Sequence, residues 1–507
     1  MTEKTMKEIE KDFLRYVNKI THYEEAISLM YWDLRTKAPA NSVEQRSNSI
    51  ATLSTELHKM RTSEQLKEMF TALLSDEATG VISEITRKSA LECKKDYDLY
   101  KKIPIEQYEE FVKLQSKAES VWEEAKEAAD FKRFEPYLEQ LVEKTKTFIG
   151  YWGYDKNPYD TLLDQYEPGI TVELLDEVFA ELRDGIIDLL KDIQHSPKKF
   201  DPSFIYHPFP KEQQEAFSLD VLKQFGYDFQ SGRLDDTVHP FEITINPSDV
   251  RITTKYDEND FRVAIFGTIH EGGHALYEQH ISKDLIGTPL LAGTSMGIHE
   301  SQSLFHEIFI GRNRSFWQYH YDRFKSYAKG QFDDVSLDDF YRAINEVKPT
   351  LIRIEADEVT YPLHVIIRYE IEKALFNGEI EVKDLPKIWN EKYKQYLGIE
   401  PENDGVGVLQ DVHWAGGSFG YFPSYALGYM YAAQMKHAML KDIPDFDDRL
   451  ANGDLEPIEE WLRENVHRFG KMKKPLEILQ DATGEPLKAK YLLEYLREKY
   501  KNIYDLA

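Results

Sequence analysis

The chain places two histidines four residues apart, with a glutamate directly after the first, in His270-Glu271-Gly272-Gly273-His274. On an α-helix, residues i and i+4 lie about 40° apart in azimuth and roughly 6 Å apart along the axis. Two imidazoles at that spacing can reach one tetrahedral metal, most often zinc. Glu271, beside the first ligand, is placed to take a proton from a water that the cation polarises. Five residues of this pattern can arise by accident in a chain with this His and Glu content. The reading therefore needs a helix, a third ligand and substrate-binding groups.

His280 extends the pattern to the outer spacing of the metzincin motif. That motif requires a glycine at its eighth position to swing the third histidine back, and here the position is Tyr277. On a continuing helix His280 lies about 15 Å from His270 along the axis and roughly 80° off the ligand face, so it is rejected. Glu300, in Met296-Gly-Ile-His-Glu-Ser-Gln, is the better third ligand. A second helix packed on the first can deliver one carboxylate, giving two His and one Glu with a fourth position open. His299 points about 100° away on that helix and reads as a polar surface histidine or as one behind the metal, not as a ligand. Gly272 and Gly273 each cost about 1 kcal/mol relative to Ala inside a helix, which implies close approach by a backbone or by substrate.

The elements that must position these groups are mostly helical. Apolar residues three and four apart, with Glu and Lys between them, mark helices at Thr5 to Leu34, Val43 to His58 and Glu64 to Leu74. Pro39, Pro104, Pro136 and Pro168-Gly169 read as helix boundaries, and Thr171 as an N-cap. Phe241 to Asn246 and Asp249 to Thr254 alternate with period two around Asn246-Pro-Ser-Asp, predicting one β-hairpin as the chain's sheet. Helices follow at Ala264 to Ser282, Ile298 to Phe309, Ser336 to Glu346 and Leu351 to Asn377. Gly405 to Gly420 is Gly-rich, and another helix runs to about Leu440.

The 507 residues are 41% apolar and 30% charged, enough for a large core. A net charge of −27 speaks against nucleic acid and anionic membranes as partners. The N-terminus has no apolar signal core, and no apolar run is long enough to span a bilayer. Cys93 is the only cysteine, so any metal must be held by His and carboxylate. A cytoplasmic location is the expectation.

Six motifs occur in order: His239-Pro240-Phe241, Asp249-x-Arg251-x-Thr253, His270-Glu271-x-x-His274, His299-Glu300-Ser301-Gln302, Ile352-Arg353-x-x-Ala356-Asp357 and Gly407-x-x-Gln410-Asp411-x-His413-Trp414. Together they resemble the metallocarboxypeptidases typified by carboxypeptidase Taq. Trp32-Asp33, the stretch Tyr159 to Gly169 and the closing Lys499 to Tyr504 extend the resemblance over most of the chain. His207-Pro208-Phe209 imitates the first motif without the hairpin that should follow.

The resemblance implies a mainly α, zincin-type fold with a long substrate groove, one small β-hairpin near the active site, and a homodimer. It implies residues 1–235 as a helical half forming one groove wall, 236–440 as the catalytic region and 441–507 as a helical segment packed on it, all one continuous fold. The activity implied is stepwise removal of C-terminal residues from peptides, with broad side-chain tolerance and poor action next to proline. The cofactor would be one divalent metal per subunit, zinc first, with cobalt or manganese as alternatives. Within that frame Glu271 is the general base. His413 and Tyr425 are assigned as donors to the carbonyl oxygen, with Tyr421 as the alternative, because His413 to Tyr425 is similar to the corresponding segment of thimet-type oligopeptidases. Arg353 is the receptor for the free carboxylate, since a guanidinium grips both oxygens in a fork, with Asp357 as its anchor. Arg251 is the runner-up, and His239 is a further substrate-binding residue. The rival readings are an oligopeptidase or endopeptidase of the same architecture, and a non-catalytic helical scaffold that keeps only the metal.

Overall fold

The computed structural model describes residues 2–506. It is 69% helical, with 20 α-helices and one small sheet. The first four helices, α1 (Glu3–Thr36), α2 (Val43–Arg61), α3 (Glu64–Leu73) and α4 (Glu84–Lys101), pack around their own core from Met6 to Tyr97. The later helices and strands β1 (Gly232–Asp236) and β3 (Asp249–Thr254) share a second core running from Ile103 to Tyr504. It is built by α5 (Ile105–Ala128), α6 (Phe131–Trp152), α7 (Asp160–Tyr166), α8 (Val172–His195) and α9 (Lys211–Gln224), then these strands and α10 (Phe261–Gln279). Beyond these come α11 (Met296–Leu304), α12 (Arg314–Ala328), α13 (Leu337–Ile344), α14 (Tyr361–Phe376), α15 (Leu385–Leu397) and α16 (Pro423–Asp442). The chain closes with α17 (Phe446–Asn452), α18 (Glu456–Asn465), α19 (Pro475–Thr483) and α20 (Lys490–Tyr504). Among the described residues no helix is long and apolar enough to cross a membrane.

The hairpin is present, but it is part of a three-stranded sheet. Strands β1 (Gly232–Asp236), β2 (Glu242–Asn246) and β3 (Asp249–Thr254) lie in the order β1-β3-β2. β2 runs antiparallel to β3, and β1 runs parallel to it on the other side. Gly-Arg-Leu-Asp-Asp carries no alternation and no β-branched residue, so β1 is created by the exposed edge of β3 rather than by its own composition. β1 and β2 are left as the two edge strands. Trp32 of α1 meets Phe241 at 5.7 Å between ring centroids, which ties the N-terminal helices to the start of β2.

Two other expectations are corrected. Pro136 lies inside α6, on its solvent face, where water can satisfy the carbonyl that loses its partner. The segment from Leu351 is not continuous helix: Arg353–Glu355 form a 3₁₀ turn, and α14 begins only at Tyr361. Asp357 makes the break by accepting the backbone N–H groups of Val359 (2.9 Å) and Thr360 (3.0 Å). Pro362 then fits the first helical turn, where a missing N–H costs nothing.

α10 is buried on nearly every side, as expected of a helix at the centre of a fold. It crosses α11 at Gly273. A Cβ there would run into the Gln302 carbonyl and stand 2.8 Å from Ser303 Cα. The close approach is therefore to a neighbouring backbone. At Gly272 a Cβ would meet only the end of the Leu222 side chain, at 2.7 Å. On the other face of α11, Gly428 of α16 lets that helix close on Glu300, whose Cβ lies 2.7 Å from where a Cβ on residue 428 would sit. Gly273→Ala should destabilise the fold by about 1–3 kcal/mol, the usual cost of overpacking. Gly272→Ala should cost less, because only a flexible side chain must move. Thermal unfolding of the two variants checks the ranking, and equal midpoints would contradict it.

Candidate metal centre and substrate cavity

His270 and His274 of α10 and Glu300 of α11 each offer a donor atom, all within 4.8 Å of one another. Glu300 Oε2 is 3.8 Å from His270 Nε2 and 3.5 Å from His274 Nε2. A tetrahedral centre with bonds of about 2.1 Å spaces its ligand atoms about 3.4 Å apart, so the trio fits a zinc-sized divalent cation. His280 takes no part. It ends α10 and faces His467, with their Nδ1 atoms 3.2 Å apart.

Each imidazole turns Nε2 toward the centre and anchors its Nδ1 behind it. His270 Nδ1 bonds Glu307 Oε2 at 2.9 Å, and Glu307 in turn accepts Arg312 Nη2 at 3.0 Å. His274 Nδ1 bonds His299 Nδ1 at 2.6 Å, and His299 Nε2 bonds Glu278 Oε1 at 3.0 Å. Such partners fix ring orientation and raise ligand basicity. His299 thus stands behind a ligand, while Glu307 and Glu278 are contributors that sequence reasoning missed. Glu307 lies seven residues after Glu300, a same-face spacing, on the π-helical turn Phe305–Gly311 that extends α11.

Burial pulls both imidazoles toward the neutral form. It prevails at His274, whose pKa falls to about 4. At His270 the carboxylates of Glu300 and Glu307 outweigh it and raise the pKa to about 10. Burial pushes Glu271 up to about 7, against the pull of His270. At Glu307, hydrogen bonding to His270 and the charge of Arg312 overcome burial and bring the carboxyl down to about 2. A divalent cation on the three donors adds positive charge, so it would keep both Nε2 atoms unprotonated and draw Glu271 toward the carboxylate.

The centre opens into a cavity of about 590 Å³. Glu271, Tyr361, Tyr421, Tyr425 and Arg353 line it, with Pro240, Phe241 and Glu242 at the start of edge strand β2. Glu242 is itself buried beside Glu278, which raises its pKa. His413 stands behind the two tyrosines: its Nε2 is 3.4 Å from Tyr425 Oη, and its ring lies 5.4 Å from that of Tyr421. Burial and the nearby Arg368 bring His413 down to about 3, so it is a neutral imidazole.

Arg353 is buried, and its anchor is not Asp357. Its Nη2 donates to Asp411 Oδ1 at 2.9 Å, and its backbone N–H to Gln410 Oε1 at 2.9 Å. Asp357 is taken up by the turn before α14, so the fold pairs Arg353 with the Gly-rich segment instead. Burial opposes the guanidinium charge, but Asp411 outweighs it and holds Arg353 protonated. The structure does not bring Arg251 or His239 to the cavity wall. Arg251 forks onto Asp249 with two 2.7 Å bonds and stacks on Trp32, and His239 is exposed beside Pro240.

A family model described as the carboxypeptidase Taq (M32) metallopeptidase matches residues 12–500. The chain belongs to that family. It is a metallocarboxypeptidase, a peptide hydrolase dependent on a divalent metal. It is similar to carboxypeptidase 1 of Bacillus subtilis (strain 168), 58% identical over 495 residues that cover 98% of each chain. Thermostable carboxypeptidase 1 of Thermus thermophilus is 40% identical over 506 residues, covering 97% of this chain and 98% of the relative. The crystal structure of M32 carboxypeptidase from Deinococcus radiodurans R1 matches with a TM-score of 0.93 and 35% identity, across 98% of this chain and 99% of the other.

Glu167, in the stretch from Tyr159 to Gly169, holds the start of the helix that carries Glu300. It accepts the Gly297 N–H at 2.7 Å and the hydroxyls of Ser295 and Tyr431 at 3.0 Å each. Burial nevertheless raises its pKa from 4.5 to about 7. The native state therefore keeps a proton that the unfolded chain has released between those values. Glu167 contributes stability that is full below about pH 4.5 and is lost as pH rises through about 7, worth up to about 3 kcal/mol. Across pH 5 to 8 the melting temperature of the native protein should fall relative to that of Glu167→Gln. A difference that stays constant over this range would contradict the assignment.

Proposed function

We propose that this carboxypeptidase releases C-terminal residues one at a time from peptides, using a divalent metal held by His270, His274 and Glu300. The observation that carries the reading is the placement of a buried, charged Arg353 in the same cavity as the three ligands. When bound, the cation, zinc before cobalt or manganese, supplies Lewis-acid polarisation of the scissile carbonyl and acidifies the attacking water. Glu271 accepts the proton of that water on its carboxylate and returns it to the leaving nitrogen. Arg353 receives the terminal carboxylate on the guanidinium edge that Asp411 does not occupy. An endopeptidase needs no such receptor.

Tyr425 and Tyr421 border the cavity with His413 behind them, and we assign them as donors to the carbonyl oxygen as its negative charge develops. The main chain of the substrate lies along β2, whose free edge borders the cavity and offers hydrogen bonds to any sequence. Backbone recognition of this kind supports broad side-chain tolerance, and it disfavours proline, which has no N–H to donate. His239, exposed beside Pro240, is left to contact longer substrates, and Arg251 braces the hairpin that carries β2. A homodimer belongs to this reading through the family resemblance.

One peptide digested over time and followed by mass spectrometry should give a ladder shortened residue by residue from the C-terminus, stalling near proline and abolished by chelator. Internal fragments would point to an endopeptidase. Glu271→Gln should lower kcat by about 10²–10⁴-fold with the metal load unchanged by elemental analysis. Activity within twofold of the native enzyme would exclude Glu271 as the base.

A further inference from the structure

Rings and guanidinium groups alternate behind the cavity. Arg368 lies 4.2 Å from the Trp414 ring centroid and 4.1 Å from that of Phe422. Arg353 lies 5.0 Å from the same Phe422 ring and 4.7 Å from Tyr425. The order is Trp414, Arg368, Phe422, Arg353, Tyr425, five layers that end at the cavity wall. Arg368 sits on α14, wholly buried. Its Nε donates to Glu372 at 3.3 Å, while Nη1 and Nη2 have no hydrogen-bond partner among the described residues.

Asp411 lies between the two guanidinium groups. Its Oδ1 accepts Arg353 Nη2 at 2.9 Å, and its Oδ2 accepts Arg353 Nε at 3.4 Å and lies 3.8 Å from Arg368 Nη1. Asp411 is thus the direct partner of Arg353 and a longer-range neighbour of Arg368, whose own partner is Glu372. Glu372 fixes the far end of the stack. It accepts Trp414 Nε1 at 2.8 Å, the Gly420 N–H at 2.9 Å and Tyr159 Oη at 2.7 Å. The segment that carries Asp411, His413 and Tyr421 is thus tied to α14 through the same pair of side chains.

We propose that Arg368 and Phe422 are positioning residues for the carboxylate receptor. Phe422 sets the plane of the Arg353 guanidinium, and Arg368 holds the Asp411 carboxylate from its other side, so that Asp411 stays on the Nε edge of Arg353 and leaves the other edge for the terminal carboxylate of the peptide. Aromatic stacking demands a planar cation, which makes lysine a poor replacement at position 368. The inference rests on Arg353 being the receptor, so its test includes that residue.

The test measures competitive inhibition by a free C-terminal amino acid and by its amide, and takes the ratio of the two inhibition constants as the carboxylate selectivity. Arg353→Met should bring the ratio to about 1, the receptor having been removed. Arg368→Met and Phe422→Leu should each lower it by about tenfold, with the loss on peptide substrates falling on KM more than on kcat. Arg368→Lys should recover less than half of that loss on a logarithmic scale. Unchanged selectivity in both Arg368→Met and Phe422→Leu, with loss in Arg353→Met, would overturn the positioning role and leave the receptor standing. A uniform fall in kcat at unchanged selectivity would assign these residues to folding alone. Full selectivity in Arg353→Met would remove the receptor and the inference together. If Arg368→Met fails to fold, Phe422→Leu and Arg368→Lys decide.

Discussion

The three candidate ligands come from two helices, and those helices approach closely where residue 273 has no Cβ. The α10 backbone at Gly273, directly before His274 and within a turn of His270, lies against Gln302 and Ser303 of α11, within a turn of Glu300. Gly428 lets α16 close on Glu300 from behind. Glycine inside a helix is costly, so the fold spends local helix stability on interhelical distance. Everything else at the site depends on that distance. The donor spacing of 3.5–3.8 Å follows from it, as does the reach of Glu307 to His270 and of His299 to His274.

The electrostatics of the centre are asymmetric. His270 is backed by a carboxylate that is itself held by Arg312, whereas His274 is backed by another imidazole that leans on Glu278. The first arrangement delivers more negative charge to its ligand, and the opposite pKa shifts of the two rings record the difference. Burial raises the proton affinity of Glu271, next to His270 in the chain, and a cation on the three donors would lower it again. The overall charge of −27 has no part in this, since the groups that matter are buried and act over a few ångströms.

Much of this was legible in the chain. Apolar periodicity located α10, period-two alternation located β2 and β3, helical spacing excluded His280, and the two-His, one-Glu donor set of catalytic zinc sites pointed to Glu300. The rest was hidden for identifiable reasons. β1 has no strand composition and exists because β3 offers it an edge. The turn at Arg353–Glu355 depends on Asp357 capping the backbone, which an apolar pattern running into α14 obscures. Arg353 pairs with Asp411 across 58 residues of chain, and no local rule anticipates a contact at that separation. Arg368 shares its helix with His364, Glu370, Glu372 and Lys373, and only the fold shows it between two aromatic rings. His413, Tyr421 and Tyr425 were assigned through resemblance rather than chemistry, because in a chain with 31 tyrosines composition singles out none of them.

One carboxylate from α11 completes the candidate centre begun on α10. The most direct measurement is zinc bound per chain after stripping with chelator and reloading, in the native protein and in Glu300→Ala. One zinc per chain in the native protein, with affinity lowered by at least about 100-fold in Glu300→Ala and the helical content unchanged by circular dichroism, is the predicted result. One zinc per chain at native affinity in Glu300→Ala would contradict it.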